Sequence, residues 1–244
     1  MVPEKVAGVT LEELKFIPKK GKMVIAENTS DPLILKELAQ ARSPEVRAKA
    51  GGNSNLPGDI ANQLATDQSS IVRAGVAANP NLTAAILDTL SQDKAPEVRF
   101  NVASNPSAPE SAFVRLLDDP VMEVRETLGR NKSISAELLT ELAGDEADHV
   151  REAVASNPNI NVITLGELAE DDRMGVRLKV VAHPKVTPEI LASLYKDFKV
   201  QVRKEVAAHS LTPLETLRLL AEDNDDAVRT AALANGSYTA APKW

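Results

Sequence analysis

The dipeptide Val-Arg returns every 26 residues. It stands at Val46-Arg47, Val72-Arg73, Val98-Arg99, Val124-Arg125, Val150-Arg151, Val176-Arg177, Val202-Arg203 and Val228-Arg229. An unbroken period of this length points to a solenoid, in which each unit is too small to bury its apolar face alone and buries it against its neighbours. A partial earlier copy fits the register, since Val24 precedes Val46 by 22 residues as Val76 precedes Val98. The period divides the chain into a capping segment over 1–22, about eight units plus the partial copy over 23–235, and a flexible tail over 236–244.

The units align with one another. Four residues after the anchor most copies carry Val or Leu (Val76, Val102, Leu128, Val154), which places two apolar side chains on one helical face. Seven residues after it stands Asn53, Asn79, Asn105, Asn131, Asn157 or Asn235, with His183 and His209 in two copies. Pro follows at Pro80, Pro106, Pro158 and Pro184. A helix must end before that pair, because the residue before Pro is driven out of the α region. Asn there tolerates the left-handed conformation of a helix C-terminus, and its side chain can bond backbone groups of the turn. This first helix is expected to begin near Pro44, Pro96 or Pro120, with Glu45, Glu97 or Glu123 complementing its dipole. The second helix of each unit is expected to start near Thr83, Ser135, Asn161 or Thr187, which are good N-caps, and to bury Leu64, Leu90, Leu116 and their equivalents.

At the N-terminus, Thr10-Leu11-Glu12-Glu13 reads as a capping box opening a helix whose Leu11, Leu14 and Ile17 cover the first unit. The basic run at 19–22 (KKGK) reads as a solvated loop, and Trp244 either docks on the last unit or hangs free. Residues 1–8 are too polar for a signal peptide and no run of 18 apolar residues occurs, so a cytoplasmic chain with no membrane partner is expected.

The pattern V-R-x-x-V-A-x-N-P, complete at Val72 to Pro80 and Val150 to Pro158, resembles the leucine-rich repeat variant family of bacteria over about residues 24–235. The spacing from Asp67 to Arg73 and from Asp93 to Arg99 is similar to HEAT repeats. The resemblance implies an all-α fold, a right-handed α-solenoid (superhelix) of short paired helices, one of which can be a 3₁₀ helix. The founding type of that family also carries a cysteine-ligated iron–sulfur module. This chain has no Cys, so neither that module nor its redox chemistry carries over, and no cofactor is expected.

The functional reading begins with the Arg row. Each of Arg73, Arg99, Arg125, Arg151, Arg177, Arg203 and Arg229 follows an Asp by six residues: Asp67, Asp93, Asp119, Asp145, Asp171, Asp197 and Asp223. That predicts a structural ladder of Arg–Asp contacts between units, with bonds to loop carbonyls. Arg47 lacks such a partner, because Ala41 occupies its Asp position. His183 and His209 are too few for a metal site and read as substitutes for the Asn, so no metal is expected.

Catalytic motifs such as a Gly-rich phosphate loop, HExxH or GxSxG are absent, which argues for a non-enzymatic protein. A net charge of −7 and an aromatic content of 3% disfavour nucleic acid. What varies is the position two after the anchor, expected to point away from the core. It reads Ala48, Ala74, Phe100, Glu126, Glu152, Leu178, Lys204 and Thr230, and the otherwise small position six after the anchor holds Arg130 once. Phe100, Glu126, Arg130, Glu152, Leu178 and Lys204 are therefore the candidate surface for an unknown protein or peptide partner. Nucleic-acid or nucleotide binding through the Arg row with Lys49, Arg130, Lys179 and Lys204 is the alternative, and a helical-repeat enzyme a weaker one. The copy at Val124, with Gly129 and no Pro, is the least regular.

Overall fold

The computed structural model describes residues 8–239, and Trp244 lies outside them. Every regular element among the described residues is helical. The chain forms two compact units, one ending at Ile134 and the other beginning at Ser135. The first holds α1 (Leu11–Phe16), α2 (Lys19–Asn28), α3 (Pro32–Leu38), α4 (Pro44–Gly51), α5 (Gly58–Leu64), α6 (Ser70–Ala77), α7 (Ala84–Leu90), α8 (Pro96–Ser104), α9 (Glu110–Leu116) and α10 (Met122–Arg130). The second holds α11 (Ala136–Leu142), α12 (Asp148–Ala155), α13 (Val162–Leu168), α14 (Met174–Val181), α15 (Pro188–Ser193) with a 3₁₀ turn over Leu194–Lys196, α16 (Val200–Ala208), α17 (Leu214–Leu220), α18 (Asp226–Ala234) and α19 (Gly236–Thr239). Each unit is an α-solenoid. The Val-Arg anchors lie on the even-numbered helices from α4 onward, and the odd-numbered ones return the chain.

Within each unit the even helices pack directly on one another, α2 through α10 in the first and α12 through α18 in the second. Their anchors are fully buried, from Val46 at 1% exposure to Val228 at 0%. Each odd helix of the repeat closes the layer with a buried Leu such as Leu64, Leu90 or Leu168, worth roughly 1.5–3 kcal/mol against exposure. Close approach needs small residues where helices meet. A Cβ on Gly75 of α6 would meet the Ala48 carbonyl oxygen of α4 at 2.3 Å, and one on Gly51 would meet the Val76 side chain at 2.9 Å. These aliphatic seams explain the scarcity of aromatics, with Phe113 the one buried Phe, Tyr or Trp among the described residues.

Two hydrogen-bonded lines stitch the seams. Arg73 donates from Nε and Nη2 to the Asp93 carboxylate at 2.5 and 2.8 Å, and from Nη1 to the Asp67 carbonyl at 2.8 Å. The same set recurs at Arg99–Asp119, Arg151–Asp171, Arg177–Asp197 and Arg203–Asp223. The carboxylate partner is thus the Asp 20 residues on, in the following repeat, while the Asp six residues back supplies only its carbonyl. That register corrects the expectation for Arg47, which grips Asp67 at 2.8 Å and donates to the Ala41 carbonyl. Each Asp also accepts the N–H two residues on, as Asp93 does from Ala95. Burial opposes ionisation of Asp93, but the Arg73 guanidinium and the Ala95 N–H outweigh it and hold the carboxyl below the usual range. At the last repeat Arg229 takes the Asp223 carbonyl and turns to Asp226 on its own helix.

The Asn line is the second. Asn79 Nδ2 donates to the Gly51 and Asn53 carbonyls of the preceding repeat, and Asn105 does the same to Ala77 and Asn79. Its Oδ1 accepts the N–H two residues on, as from Asn81. The side chain therefore bonds across the seam as well as within the turn. The left-handed conformation that Asn tolerates is not adopted: Asn105 sits at φ −75°, ψ 123°, and no non-glycine residue described has positive φ. An extended backbone aims the amide at the neighbouring repeat.

Other boundaries shift. Lys19, Lys20 and Lys22 lie in α2, whose N-cap is Pro18, so the basic run is helical and α2 crosses the expected boundary at 22. The third even helix after α4 starts at Met122 and leaves Pro120 outside. Residues 236–239 form α19 in place of a tail, with Asn235 Oδ1 taking the Ser237 N–H. The α1 capping box at Thr10 and Glu13 forms, and Leu14 is its buried residue while Leu11 is 41% exposed.

Two substitutions test these seams. Arg99→Ala strands the Asp119 carboxylate, 2% exposed, and should cost about 3–5 kcal/mol in chemical denaturation; no change would make the rung decorative. Gly75→Ala should push α4 and α6 apart at a cost of about 1–3 kcal/mol, read as a lower thermal midpoint.

Candidate interaction surface

The rungs decide which side chains remain for a partner. The Arg73, Arg99 and Arg177 side chains keep 9%, 13% and 3% of their surface exposed, each bound by a carboxylate. The Arg row is therefore internal to the seams and offers no phosphate stripe. Of the cations grouped with it, Lys49 pairs with Glu27 at 2.9 Å and Arg130 with Glu126 at 2.6 Å.

In the first unit, Phe100 on α8 is 41% exposed. Beside it, Asn101 Nδ2 donates to the Ala74 carbonyl of α6, so the backbone under Phe100 is fixed. Glu126 and Arg130 are on α10 and pair with each other, one turn apart. The helix carrying Gly129 runs unbroken from Met122 to Arg130. In the second unit Glu152 is half-buried, its carboxylate filling the space over Gly175 of α14. Lys204 on α16 is exposed. Leu178 is half-buried and lines a pocket of roughly 370 Å³ with Val181, Ala182, Gln201, Glu205 and His209. Gln201 Nε2 donates to Glu205 at 2.7 Å on its rim. Each unit thus presents its own candidate residues on its even helices.

Phe198 was not among the sequence candidates. Its ring lies 4.5 Å from the Arg177 guanidinium and roofs that rung, though 69% of it is exposed. The equivalent positions hold Gln68, Lys94 and Glu146, so a lone aromatic there was the available signal.

His183 takes the Asn position in full. Its Nδ1 accepts the Lys185 N–H at 3.0 Å and its Nε2 meets the Asn157 carbonyl at 3.1 Å, which requires the neutral ring with the proton on Nε2. Both nitrogens are engaged. His209 likewise accepts the Leu211 N–H through Nδ1. Among the described residues no three His, Asp or Glu side chains group to hold a metal, and no helix is long and apolar enough to cross a membrane. Burial pushes the His183 pKa down, with Lys185 adding to the effect and the Asn157 carbonyl opposing it.

No protein-family model matches the chain, nor does any curated protein. Among solved structures it is similar to a leucine-rich repeat variant with a novel repetitive structural motif, at 25% identity and a TM-score of 0.66, covering 94% of this chain and 88% of that one. It also matches Escherichia coli YibA at 14% identity and a TM-score of 0.37, covering 92% and 98%. A designed armadillo repeat protein in complex with the peptide (KR)4 matches at 17% identity and a TM-score of 0.27, covering 87% and 96%. The last two carry no argument at those scores.

The depressed His183 pKa has a sign. The neutral ring's contribution to stability is complete above the unfolded value of about 6.5 and is lost as pH falls through the lower folded value. His183→Asn keeps the seam bonds without a titrating group. Its thermal midpoint should fall less than the wild type's between pH 7 and 5; parallel curves would contradict the assignment.

Proposed function

We propose that this chain, a helical-repeat protein with the leucine-rich repeat variant fold, is a non-enzymatic scaffold that binds a protein or peptide along its even helices. One observation carries the reading. Val, Arg, Asn, Leu and Asp of each repeat are committed to core and seams, whereas the position two after the anchor changes from Phe100 to Glu152 to Lys204 without disturbing them. That position is buried at Ala74, half-buried at Glu126, Glu152 and Leu178, and exposed at Phe100 and Lys204, and a fixed frame with a variable position is how repeat proteins acquire partners one side chain at a time. Phe100 and Leu178 supply apolar anchors in their respective units, with Glu126, Arg130, Glu152 and Lys204 supplying charge. The absence of Cys and the family likeness agree with a cytoplasmic, bacterial protein. The seam-bound state of the Arg row counts against nucleic acid.

The test is selection of binders from a random peptide library on the immobilised chain, followed by titration of the selected peptides. Phe100→Ser or Leu178→Ser, or Lys204→Glu, should weaken a selected peptide at least tenfold, about 1.4 kcal/mol. Affinities equal to wild type in all three would exclude this surface.

A further inference from the structure

The ladder is incomplete at its N-terminal end. Asn53 donates to the Ala26 and Thr29 carbonyls as Asn79 does to Gly51 and Asn53. By the bond to its carbonyl, Ala26 stands where Gly51 stands, and counting back four residues puts Lys22 of α2 where Arg47 stands on α4; the register read from Val24, which would put Gly21 there, is thus one residue off. The Ala41 carbonyl takes Arg47 Nη1 as the Asp67 carbonyl takes Arg73 Nη1, so residue 41 holds the Asp position. The first rung would join Lys22 to residue 41, and its carboxylate is missing because residue 41 is Ala. In later rungs that carboxylate also accepts the N–H two residues on, as Asp67 does from Ser69. Ser43 has no such acceptor.

A pocket of roughly 660 Å³ opens at this place. Leu11, Leu14, Leu38 and Val46 lie along its apolar side, the last three buried and Leu11 41% exposed. Lys15, Lys19, Lys22 and Arg42 line it, with Glu37 as the one carboxylate. Lys15 is paired with Glu12 at 2.9 Å and Lys19 with Glu45 at 2.7 Å. Lys19 and the Ser43 hydroxyl hold the Glu45 carboxyl down to about 2, so that pair stays ionised. Lys22 and Arg42 form no ion pair among the described residues. The pocket thus offers the exposed side of Leu11 and two uncommitted cations, where the later seams of this unit, at Arg47, Arg73 and Arg99, supply a carboxylate of their own.

We infer that this pocket is a receptor for an acidic side chain of a peptide partner, which completes the missing first rung while a neighbouring apolar residue covers Leu11, 41% exposed. The inference rests on the peptide-scaffold reading and gives it a recognition chemistry. A net charge of −7 disfavours non-specific uptake of acidic peptides, and the substitutions at residues 22, 41 and 42 assign any binding to this pocket.

The probe is a fluorescein-labelled six-residue peptide of alternating Asp and Leu, titrated against the full chain by polarisation at low salt, with an Asn-Leu peptide and inorganic phosphate as comparisons. Saturable binding of the Asp peptide is expected, at least tenfold tighter than the Asn peptide. Lys22→Gln and Arg42→Gln should each weaken it at least fivefold. Ala41→Asp supplies the absent carboxylate from within, and should abolish binding while raising the thermal midpoint. Glu37→Gln should tighten it. Unchanged binding in Ala41→Asp and Lys22→Gln would overturn the inference, as would no binding, or binding of phosphate alone. Peptides selected through Phe100 or Leu178 that ignore Ala41→Asp would leave the scaffold reading standing and remove only this pocket from it.

Discussion

The bidentate grip of Arg47, Arg73, Arg99, Arg151, Arg177 and Arg203 on the Asp of the next repeat is the interaction on which the rest of each unit depends. A 26-residue unit of two short helices has too little core to be stable alone, so its seam must be specified as well as apolar. Aliphatic packing of Val, Leu and Ala favours burial but does not fix how one repeat registers on the next. The guanidinium does, because its planar fork accepts one geometry of carboxylate while its third nitrogen is held by a carbonyl of its own turn. In Arg177–Asp197 both side chains are 3% exposed, so the pair is desolvated and misregistry leaves a buried charge.

The Asn line works from the other edge of the same seam. Rung and Asn amide hold the two ends of each even helix to its predecessor or successor, and small residues between them, Gly51 and Gly75 above all, let backbones come close. His183 shows what the position demands: an acceptor for the local N–H and a donor for the preceding repeat. A neutral imidazole meets both demands at the cost of sensitivity to acid.

Much of this was legible in the chain itself. The period fixed the solenoid, the Leu at Leu64, Leu90 and Leu116 fixed the second helix, and Thr10 to Glu13 fixed the first cap. Pairing was not legible, because an Asp stands both six residues before and 20 residues after every Arg of the row from Arg73 to Arg203, and only the folded structure distinguishes them. The Asn conformation was not legible for a related reason. Asn is common in left-handed turns, but here tertiary bonds set an extended backbone. The basic run at 19–22 concealed a helix, since the register of Lys22 with Arg47 emerges only from the Asn53 bonds. The variation two residues after the anchor was legible, while the pairing of Glu126 with Arg130 and the burial of Glu152 against Gly175 were not.

Once the seams are assigned, the chemistry left over is small: variable side chains on the even helices, and an end where a rung lacks its carboxylate. The most direct measurement of the underlying claim is a pair of double-mutant cycles at one Arg. Arg73 with Asp93, the partner across the seam, should show a coupling energy of about 1.5–3 kcal/mol, and Arg73 with Asp67, which offers only its carbonyl, less than about 0.5 kcal/mol. Equal couplings, or the larger one at Asp67, would contradict the account.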